Sequence, residues 1–356
     1  MSAQLNADLE AIDISGTAQL QAWEDEVLPP VESLGDGLWS VPVPMPQNSL
    51  RYVLVYLLEQ PDGVTMIDAG WDTEDAWAAL TDGLGKAGYE VGDVKSVLVT
   101  HIHPDHFGLA GRVREASGAW IALHPADAEI LPQRYMQMDG LLSDMRGHLL
   151  ECGVPLEAMD QMRGASMPVR GFVQAVTPDV LLDDGDRPDV AGWDLRAVWT
   201  PGHSPGHLCF YDRDRRRLMS GDHILPRITP NISFHPQQTR NPLADFLESI
   251  EKVAALEVDE CLPAHEYRFR ALAERLVQLR AHHEHRLSEV LAALRRQPGA
   301  TAWEIATELT WSRPWEDIVV WARRAALGET LAHLIVLENR GDVRRDDAIP
   351  QHWELA

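Results

Sequence analysis

The chain has 356 residues, with 31 Lys and Arg against 55 Asp and Glu, and a formal net charge of −24. Because a single hydrophobic core stops growing at about 250–300 residues, this length predicts one large domain and a smaller one. The acidic balance argues against broad binding to nucleic-acid phosphates, which needs a basic face. Nucleic acid is therefore not an expected partner.

The three cysteines, Cys152, Cys209 and Cys261, are odd in number and lie outside any Cys-x-x-Cys frame. They indicate neither a disulfide framework nor a thiolate zinc site. The first ten residues are partly acidic, and the apolar run at 52–58 is far shorter than the ~20 residues of a membrane span. We expect reduced, buried cysteines and a cytoplasmic protein that makes no use of a membrane.

The first half of the chain alternates extended and helical patterns. Extended runs at 37–44, 51–59 and 64–68 predict neighbouring strands of one sheet. The pattern then predicts a helix at 72–87, a strand at 96–100, a helix at 106–116 and a strand at 119–123. This alternation places the region in the α/β or α+β class.

Residues 125–175 break the rhythm with a largely helical stretch, and we interpret it as an insertion. Its methionines predict either an adaptable wall over an apolar substrate, with Arg134 and Tyr135 in contact with that substrate, or a helical hairpin that packs on itself. Six of the ten methionines of the chain lie here: Met136, Met138, Met145, Met159, Met162 and Met167.

The pattern resumes with strands at 195–200, 208–211 and 218–220, a helix at 243–256 and a strand at 259–262. From Phe269 onward, apolar residues recur at helical spacing and predict a long or twice-broken helix. Thr301 and Glu304 have capping-box spacing, and a later helix at 325–340 stops at Gly341.

With the hairpin-like tail to Trp353, these helices resemble a winged-helix module. The candidate recognition helix at 325–340 offers Glu329, His333 and Glu338 against Arg340 alone beyond its amino end, so a basic reading surface is missing. We expect this module to pack against the core or to mediate a homodimer.

The segment from Val97 to His106 carries the chemistry. His101 and His103 are two residues apart at a strand end, so both imidazoles point the same way and can hold one metal. Asp105 and His106 follow in the turn that opens the next helix, where they can face a second metal. This spacing is a specific signal for metal binding.

The same segment resembles the His-x-His-x-Asp-His motif of the metallo-β-lactamase superfamily. Four further segments are similar to motifs of that family in the family's order: 64–70, 200–203, 220–222 and 262–265. The resemblance implies an αββα sandwich of the α+β class. Residues 1–270 would form the hydrolase domain, with the helical insertion at about 125–175, and 271–356 the winged-helix-like domain.

The resemblance also implies a dinuclear site. One metal would be held by His101, His103 and His203, the other by Asp105, His106 and His265, with Asp222 bridging both. Imidazole and carboxylate ligands without thiolate suit two Zn²⁺ per chain, and also iron or manganese. Asp68 is implied to orient the loop of histidines, as an outer carboxylate does, and not to bind metal.

The implied reaction is hydrolysis of a small ester, thioester or lactone by a hydroxide that bridges the metals, with Asp105 relaying a proton to the leaving group. Two alternatives stay open. One is a metal-dependent ribonuclease or phosphodiesterase, which the charge of −24 disfavours. The other is an iron-dependent sulfur dioxygenase, for which the three-His site would suffice.

Several residues near these motifs receive other predictions. His265-Glu266-Tyr267 is similar to the His-Glu-Tyr run of glyoxalase II, where the Tyr contacts glutathione, yet the C-terminal segment is not similar to that enzyme's substrate-binding helices. His207 is expected to be structural and His223 stays unassigned. We expect His282, His283 and His285 to be solvated on an Arg-rich helix.

Overall fold

The computed structural model describes residues 12–136, 138–163, 171–238 and 240–356. A seven-stranded sheet carries the first half of the fold. Its first four strands pair antiparallel and the later ones parallel. In spatial order they are β1 (Glu32–Gly35), β2 (Leu38–Pro44), β3 (Tyr52–Gln60), β4 (Gly63–Ile67), β5 (Val94–Leu98), β6 (Trp120–Leu123) and β7 (Val180–Leu181).

The predicted strands of this sheet are confirmed, but β1 and β7 were not predicted. Both are short edge strands whose side chains are half-buried or exposed, so they lack the buried pattern that marks the inner strands.

A four-stranded sheet faces the first one, in the order β11, β10, β9, β8. These strands are β8 (Leu195–Trp199), β9 (Leu208–Asp212), β10 (Arg217–Gly221) and β11 (Glu260–Pro263). Tyr56 and Leu58 of the first sheet pack against Phe210 and Met219 of the second in one buried cluster. The carboxyl ends of β4, β5, β10 and β11 lead into the segments that carry the predicted site.

Helices cover the outer face of the first sheet: α2 (Glu74–Lys86), α3 (Pro104–Phe107), α4 (Ala110–Ser117) and α5 (Pro125–Leu131). The helix α1 (Thr17–Glu24) precedes β1 and was not predicted. The predicted single helix at 106–116 is divided into α3 and α4. Between them the Gly108 backbone passes so close to the carbonyl oxygens of Phe172 and Gly70 that a side chain would collide with them.

One large cluster covers the outer face of the second sheet. It includes α8 (Pro242–Ala254), the helices α6 (Met138–Glu151) and α7 (Leu156–Arg163) of the insertion, and the C-terminal elements. Those are α9 (Leu272–Arg296), α10 (Ala302–Glu308), α11 (Val320–Arg340) and a hairpin of β12 (Val343–Arg345) with β13 (Trp353–Leu355). Helices on both outer faces of two facing sheets confirm the predicted αββα sandwich.

The C-terminal segment matches most of its predicted elements. The region after Phe269 contains one unbroken helix, α9, and Thr301 and Glu304 form the expected capping box of α10. The helix α11 is buried along most of its length, at Leu327, Leu331, Leu334 and Leu337 among others, so it is not an exposed recognition helix. The winged-helix assignment and the boundary near residue 270 stay predictions.

The methionines of the insertion that the structure describes mostly pack inward. Met145, Met159 and Met162 are buried in the cluster over the second sheet, which favours the packing interpretation for these three. Met136 is exposed, and Met167 lies outside the described residues. None of the helices described here is long and apolar enough to cross a bilayer.

Candidate metal centre

The His-x-His turn follows β5 and forms the first group of candidate ligands. His101 Nε2 lies 2.8 Å from His103 Nδ1. The loop after β8 brings His203 to the same place, and the ligand atoms of the three histidines all lie within 4.8 Å of one another. We call His101, His103 and His203 the first group.

Asp105, His106 and His265 form the second group, whose ligand atoms also lie within 4.8 Å of one another. Asp105 and His106 lie on α3, and His265 follows β11. Asp105 Oδ2 is 3.5 Å from His106 Nε2 and 3.3 Å from His265 Nε2.

Asp222, directly after β10, stands between the two groups. Its Oδ2 lies 3.4 Å from His203 Nε2 of the first group. Its Oδ1 lies 3.5 Å from His106 Nε2 and 3.2 Å from His265 Nε2 of the second. One carboxylate therefore faces both groups with different oxygens, as a bridging ligand does.

The seven side chains fit divalent cations. His106 Nε2, His203 Nε2, His265 Nε2 and Asp222 Oδ1 are buried and have no hydrogen-bond partner among the described residues. Such orphaned polar atoms are costly unless a ligand satisfies them. Ligand atoms at 2.0–2.1 Å from a tetrahedral metal are about 3.3–3.4 Å apart, which matches the spacing around Asp222.

The second ring nitrogen of four of the five candidate histidines is held by the protein. His106 Nδ1 lies 2.7 Å from Asp68 Oδ2, His265 Nδ1 lies 2.8 Å from Tyr52 O, and His203 Nδ1 lies 2.9 Å from Asn231 O. His101 Nδ1 lies 3.1 Å from Thr100 Oγ1. These contacts turn Nε2 of the four rings toward the centre, an arrangement that is typical of metal-binding histidines, whereas His103 offers Nδ1 to the first group.

Electrostatics differ between the groups. Burial, together with the neighbouring histidines, holds the pKa of His101 and His103 well below the ordinary value. Burial also disfavours the charged form of His265, but Asp222 and Asp105 outweigh it and raise the pKa of His265 to about 10. The pKa of His106 is raised in the same way, with Asp68 as its strongest carboxylate partner.

Asp68 lies where the resemblance implies. It follows β4 in a left-handed backbone conformation with φ of 64°. Its carboxylate accepts hydrogen bonds from Thr100 N at 2.8 Å and from Thr100 Oγ1, besides its contact with His106. Asp68 thus ties the start of the histidine segment to His106.

Asp127 on α5 is a site residue that the sequence analysis missed. Its buried carboxylate accepts hydrogen bonds from Ile102 N at 2.9 Å, Ser204 Oγ at 2.9 Å and Gly206 N at 2.7 Å. Burial raises the pKa of this carboxyl. Asp127 therefore joins the His101–His103 turn to the loop of His203. The run His124-Pro125-Ala126-Asp127 at a strand end was the available signal.

Two histidines near the centre are not members of either group. His207 is buried; its Nδ1 lies 2.9 Å from Thr200 Oγ1, and its Nε2 accepts a hydrogen bond from Asp222 N at 3.1 Å. This contact gives His207 the expected structural position behind Asp222. The ring of His223 is buried against Phe246, with centroids 5.0 Å apart.

The surrounding residues modify two further expectations. Tyr135 is buried and donates a hydrogen bond to Ile102 O at 2.7 Å, so it contacts the histidine turn. Tyr267 is only 4% exposed, and Glu266 is buried against Arg227, so this run packs inside the fold.

The prediction that His282, His283 and His285 are all solvated is wrong for His283. Its Nδ1 lies 3.2 Å from His333 Nε2, and both rings are buried. The reason is that α11 packs against this side of α9.

Comparisons with known proteins agree with this geometry. The family model described as the metallo-beta-lactamase superfamily matches residues 49–265. The chain is 23% identical to "Probable metallo-hydrolase YqjP" of Bacillus subtilis over 311 residues. This alignment covers 85% of this chain and 91% of that protein. It is 31% identical to "Acyl-coenzyme A thioesterase MBLAC2" of Homo sapiens over 189 residues, or 51% of this chain and 59% of that protein.

Solved structures give the same relationship over most of the chain. A metallo-beta-lactamase family protein from Thermus thermophilus is 32% identical with a TM-score of 0.79, covering 91% of this chain and 100% of that one. A beta-lactamase domain protein from Burkholderia ambifaria is 27% identical with a TM-score of 0.81, covering 99% and 100%. The chain belongs to the metallo-beta-lactamase superfamily and is one of its metallo-hydrolases.

Proposed function

We propose that this metallo-hydrolase is dinuclear and cleaves a small ester, thioester or lactone. The observation that carries the proposal is the position of Asp222, whose two oxygens face the two groups of candidate ligands. A site for one metal alone would not need the complete second group, Asp105, His106 and His265.

The donor set supports two Zn²⁺ per chain, and iron or manganese would also suit it, because it consists of imidazoles and carboxylates without thiolate. A metal pair supplies a water of lowered pKa as nucleophile and polarises a carbonyl oxygen. The residues of the chain orient these parts: Asp68, Tyr52 and Asn231 fix the ring directions of His106, His265 and His203.

Asp105 is the proposed proton relay. Its Oδ2 faces His106 and His265, and its side chain retains 11% exposure, so it borders the space that a substrate enters. Without metal, burial favours its neutral form, but the charges of His106 and His265 lower the pKa of Asp105 below the ordinary value; bound cations, which need neutral histidines, would favour the ionised carboxylate in place of those charges. The ionised carboxylate is the form that accepts a proton and passes it to the leaving group.

A thioester is the favoured member of this substrate class. The likeness to an acyl-coenzyme A thioesterase over about half of the chain supports it. Arg134 supports it as well, because it precedes Tyr135, which contacts the His101–His103 turn, so its positive charge lies near the first group. An arginine there would attract a substrate with an anionic part, whereas the net charge of −24 still disfavours RNA.

The decisive experiment measures the metal content of the purified protein and screens it, loaded with zinc, against aryl esters, acyl thioesters and lactones. We expect two metals per chain and turnover of one substrate class. One iron per chain with thiol-dependent oxygen uptake would favour the sulfur dioxygenase instead. Cleavage of single-stranded RNA or a phosphodiester, with no turnover in the screen, would favour the phosphodiesterase.

The association state is a separate proposal. The sequence is compatible with a homodimer through the C-terminal module, and light scattering of the full chain would give the mass directly against 39.8 kDa for one chain.

A further inference from the structure

The backbone partner of His203 lies in the segment between β10 and α8, not in a strand or helix. We call residues 231–238 the support loop. Its first residue, Asn231, accepts a hydrogen bond from His203 Nδ1 through its carbonyl oxygen at 2.9 Å. The direction of the His203 ring therefore depends on where this loop lies.

The support loop is attached to the C-terminal helix α11. Ser233 Oγ donates a hydrogen bond to Ala325 O at 2.7 Å, across a separation of 92 residues. The next residue, Phe234, donates its backbone N–H to Gly328 O at 3.0 Å. Both attachments lie within three residues of Asn231, so little chain separates them from the carbonyl that holds His203.

A glycine on α11 makes this close approach feasible. A Cβ atom at Gly328 would lie 2.6 Å from Ser233 Oγ and 2.8 Å from Phe234 O, closer than real Cβ contacts. Glycine is otherwise unfavourable in the middle of a helix. Any side chain at 328 would move the support loop away from α11, the backbone of Phe234 included.

Asn241, which follows the support loop and caps α8, is attached to the same helix. Asn241 Nδ2 donates to Ala332 O on α11 at 2.9 Å, while Asn241 Oδ1 caps α8 by accepting from Leu243 N and Ala244 N. The attachments at Ala325, Gly328 and Ala332 are three and four residues apart. They lie along one face of α11.

We propose that α11 positions the first metal group through the support loop, with Gly328 and Ser233 as positioning residues for His203. The inference rests on the proposed function, because metal binding by His101, His103 and His203 is itself proposed. The second group lacks this connection among the described contacts: His106 and His265 are held by Asp68 and by Tyr52 O. A change at Gly328 therefore acts on one group and spares the other.

The test uses the full chain and Co²⁺ alone as the probe, with binding followed by the visible absorption of the bound ion. His265→Ala confines strong binding to the first group and His103→Ala to the second. Gly328→Ala is added to each background. We expect Co²⁺ affinity to fall about tenfold or more, with an altered spectrum, in the His265→Ala background, since loss of an outer partner costs about 10–100-fold. In the His103→Ala background it should change less than about twofold.

Ser233→Ala is the milder second variant, because it removes one hydrogen bond without adding an atom. It should weaken the first group in the same direction by a smaller factor. Gly147→Ala is the matched control, since a Cβ at this exposed helical glycine meets nothing within 4 Å. Leu294→Ala controls for general destabilisation, because Leu294 is buried in α9, away from the support loop.

The inference is overturned if Gly328→Ala and Ser233→Ala are folded and leave the first-group affinity and spectrum unchanged. Equal losses in both backgrounds, or the same loss with Leu294→Ala, would also overturn it, because either result means a general effect of stability. If the unmodified chain binds Co²⁺ at neither group, the proposed dinuclear function fails instead.

Discussion

The two groups of the candidate metal centre are held by different sets of contacts. In the second group, His106 and His265 contact Asp68 at the end of β4 and Tyr52 in β3, both within the seven-stranded sheet. In the first group, the His101–His103 turn is held from α5, and His203 is held by the support loop on α11. The second group is thus held through the seven-stranded sheet, whereas the first group, whose His101–His103 turn also follows a strand of that sheet, depends in addition on segments packed around it.

This difference has a functional meaning. The strands β3 and β4, which carry or precede Tyr52 and Asp68, are almost wholly buried, so these two supports of the second group move only if the core of the sheet changes. The insertion and the C-terminal module can alter the first group while the sheet stays intact. A change in either segment could therefore alter one group of candidate ligands and leave the other in place.

Asp222→Ala should have the largest effect, because the two carboxylate oxygens of Asp222 face both groups. Hydrolysis of the best ester or thioester substrate should fall to background, and metal analysis should show loss at both positions. Asp75→Ala, which removes an exposed carboxylate on α2, is the control. Full activity of Asp222→Ala would refute the bridging role.

Asp68→Asn should weaken the second group more than the first, because Asp68 contacts His106 directly and reaches His101 only through Thr100. The amide cannot accept from Thr100 N, Thr100 Oγ1 and His106 Nδ1 as the carboxylate does, and it lacks the charge that helps to raise the pKa of His106. We expect the affinity of the second group for Co²⁺ to fall about 10–100-fold, measured in the His103→Ala background. A larger loss at the first group would contradict the comparison.

Asp127→Asn should weaken metal binding by the first group. An amide nitrogen would face at least one of the three donors that now point at the carboxylate, which costs about 1–3 kcal/mol. In the His265→Ala background, the affinity of the first group for Co²⁺, measured by competition with a chelator, should fall about tenfold. This is near the lower end of the about 10–100-fold loss that follows removal of an outer partner. Equal losses in both backgrounds would mean that Asp127 supports the whole fold.

The smallest effect concerns the pH dependence of stability near α11. Burial lowers the pKa of His333 to about 3 and the pKa of His283 well below its ordinary value. The charge of Arg286 lowers both pKa values further, whereas the hydrogen bond to the Glu329 carbonyl raises that of His333. The folded chain keeps these rings neutral, while the unfolded chain protonates them below about pH 6.5. Their contribution to stability is therefore complete above pH 6.5 and is lost as pH falls toward 3.

His333→Gln should reduce this acid sensitivity. The difference in the free energy of unfolding between pH 7 and pH 5 should be about 1–2 kcal/mol smaller than in the unmodified chain, as measured by urea titration at both values. His285→Gln, at an exposed position on α9, is the matched control. An unchanged pH dependence of His333→Gln would mean that another group controls acid stability.

The sequence predicted the parts of the fold and site that depend on local patterns. The seven candidate ligands follow strand ends in short motifs, so their residue types and order were readable, and the structure brings all of them together. Their role as metal ligands stays a prediction. The inner strands were predictable for a similar reason, because each has a continuous buried pattern.

Features that depend on distant contacts could not be predicted. Asp127 accepts hydrogen bonds from Ser204 and Gly206, which are 77 and 79 residues away in the sequence, and no local pattern predicts those contacts. His283 looked solvated because its helix is rich in arginine, but it meets His333 across 50 residues. The attachment of the support loop to Gly328 was unpredictable for the same reason, since a single glycine in a helical pattern does not indicate which distant segment packs against it.

The peptide units on both sides of Ile102 carry one more consequence. Ile102 N donates to Asp127 and Ile102 O accepts from Tyr135, while its side chain is fully buried. The backbone that joins the two candidate histidines is therefore fixed when the chain folds, and the entropy of ordering it would not be lost again when a cation binds. Which of several similar cations binds would then depend on its chemical preference for imidazole, because each cation would meet the same preorganised pair of side chains.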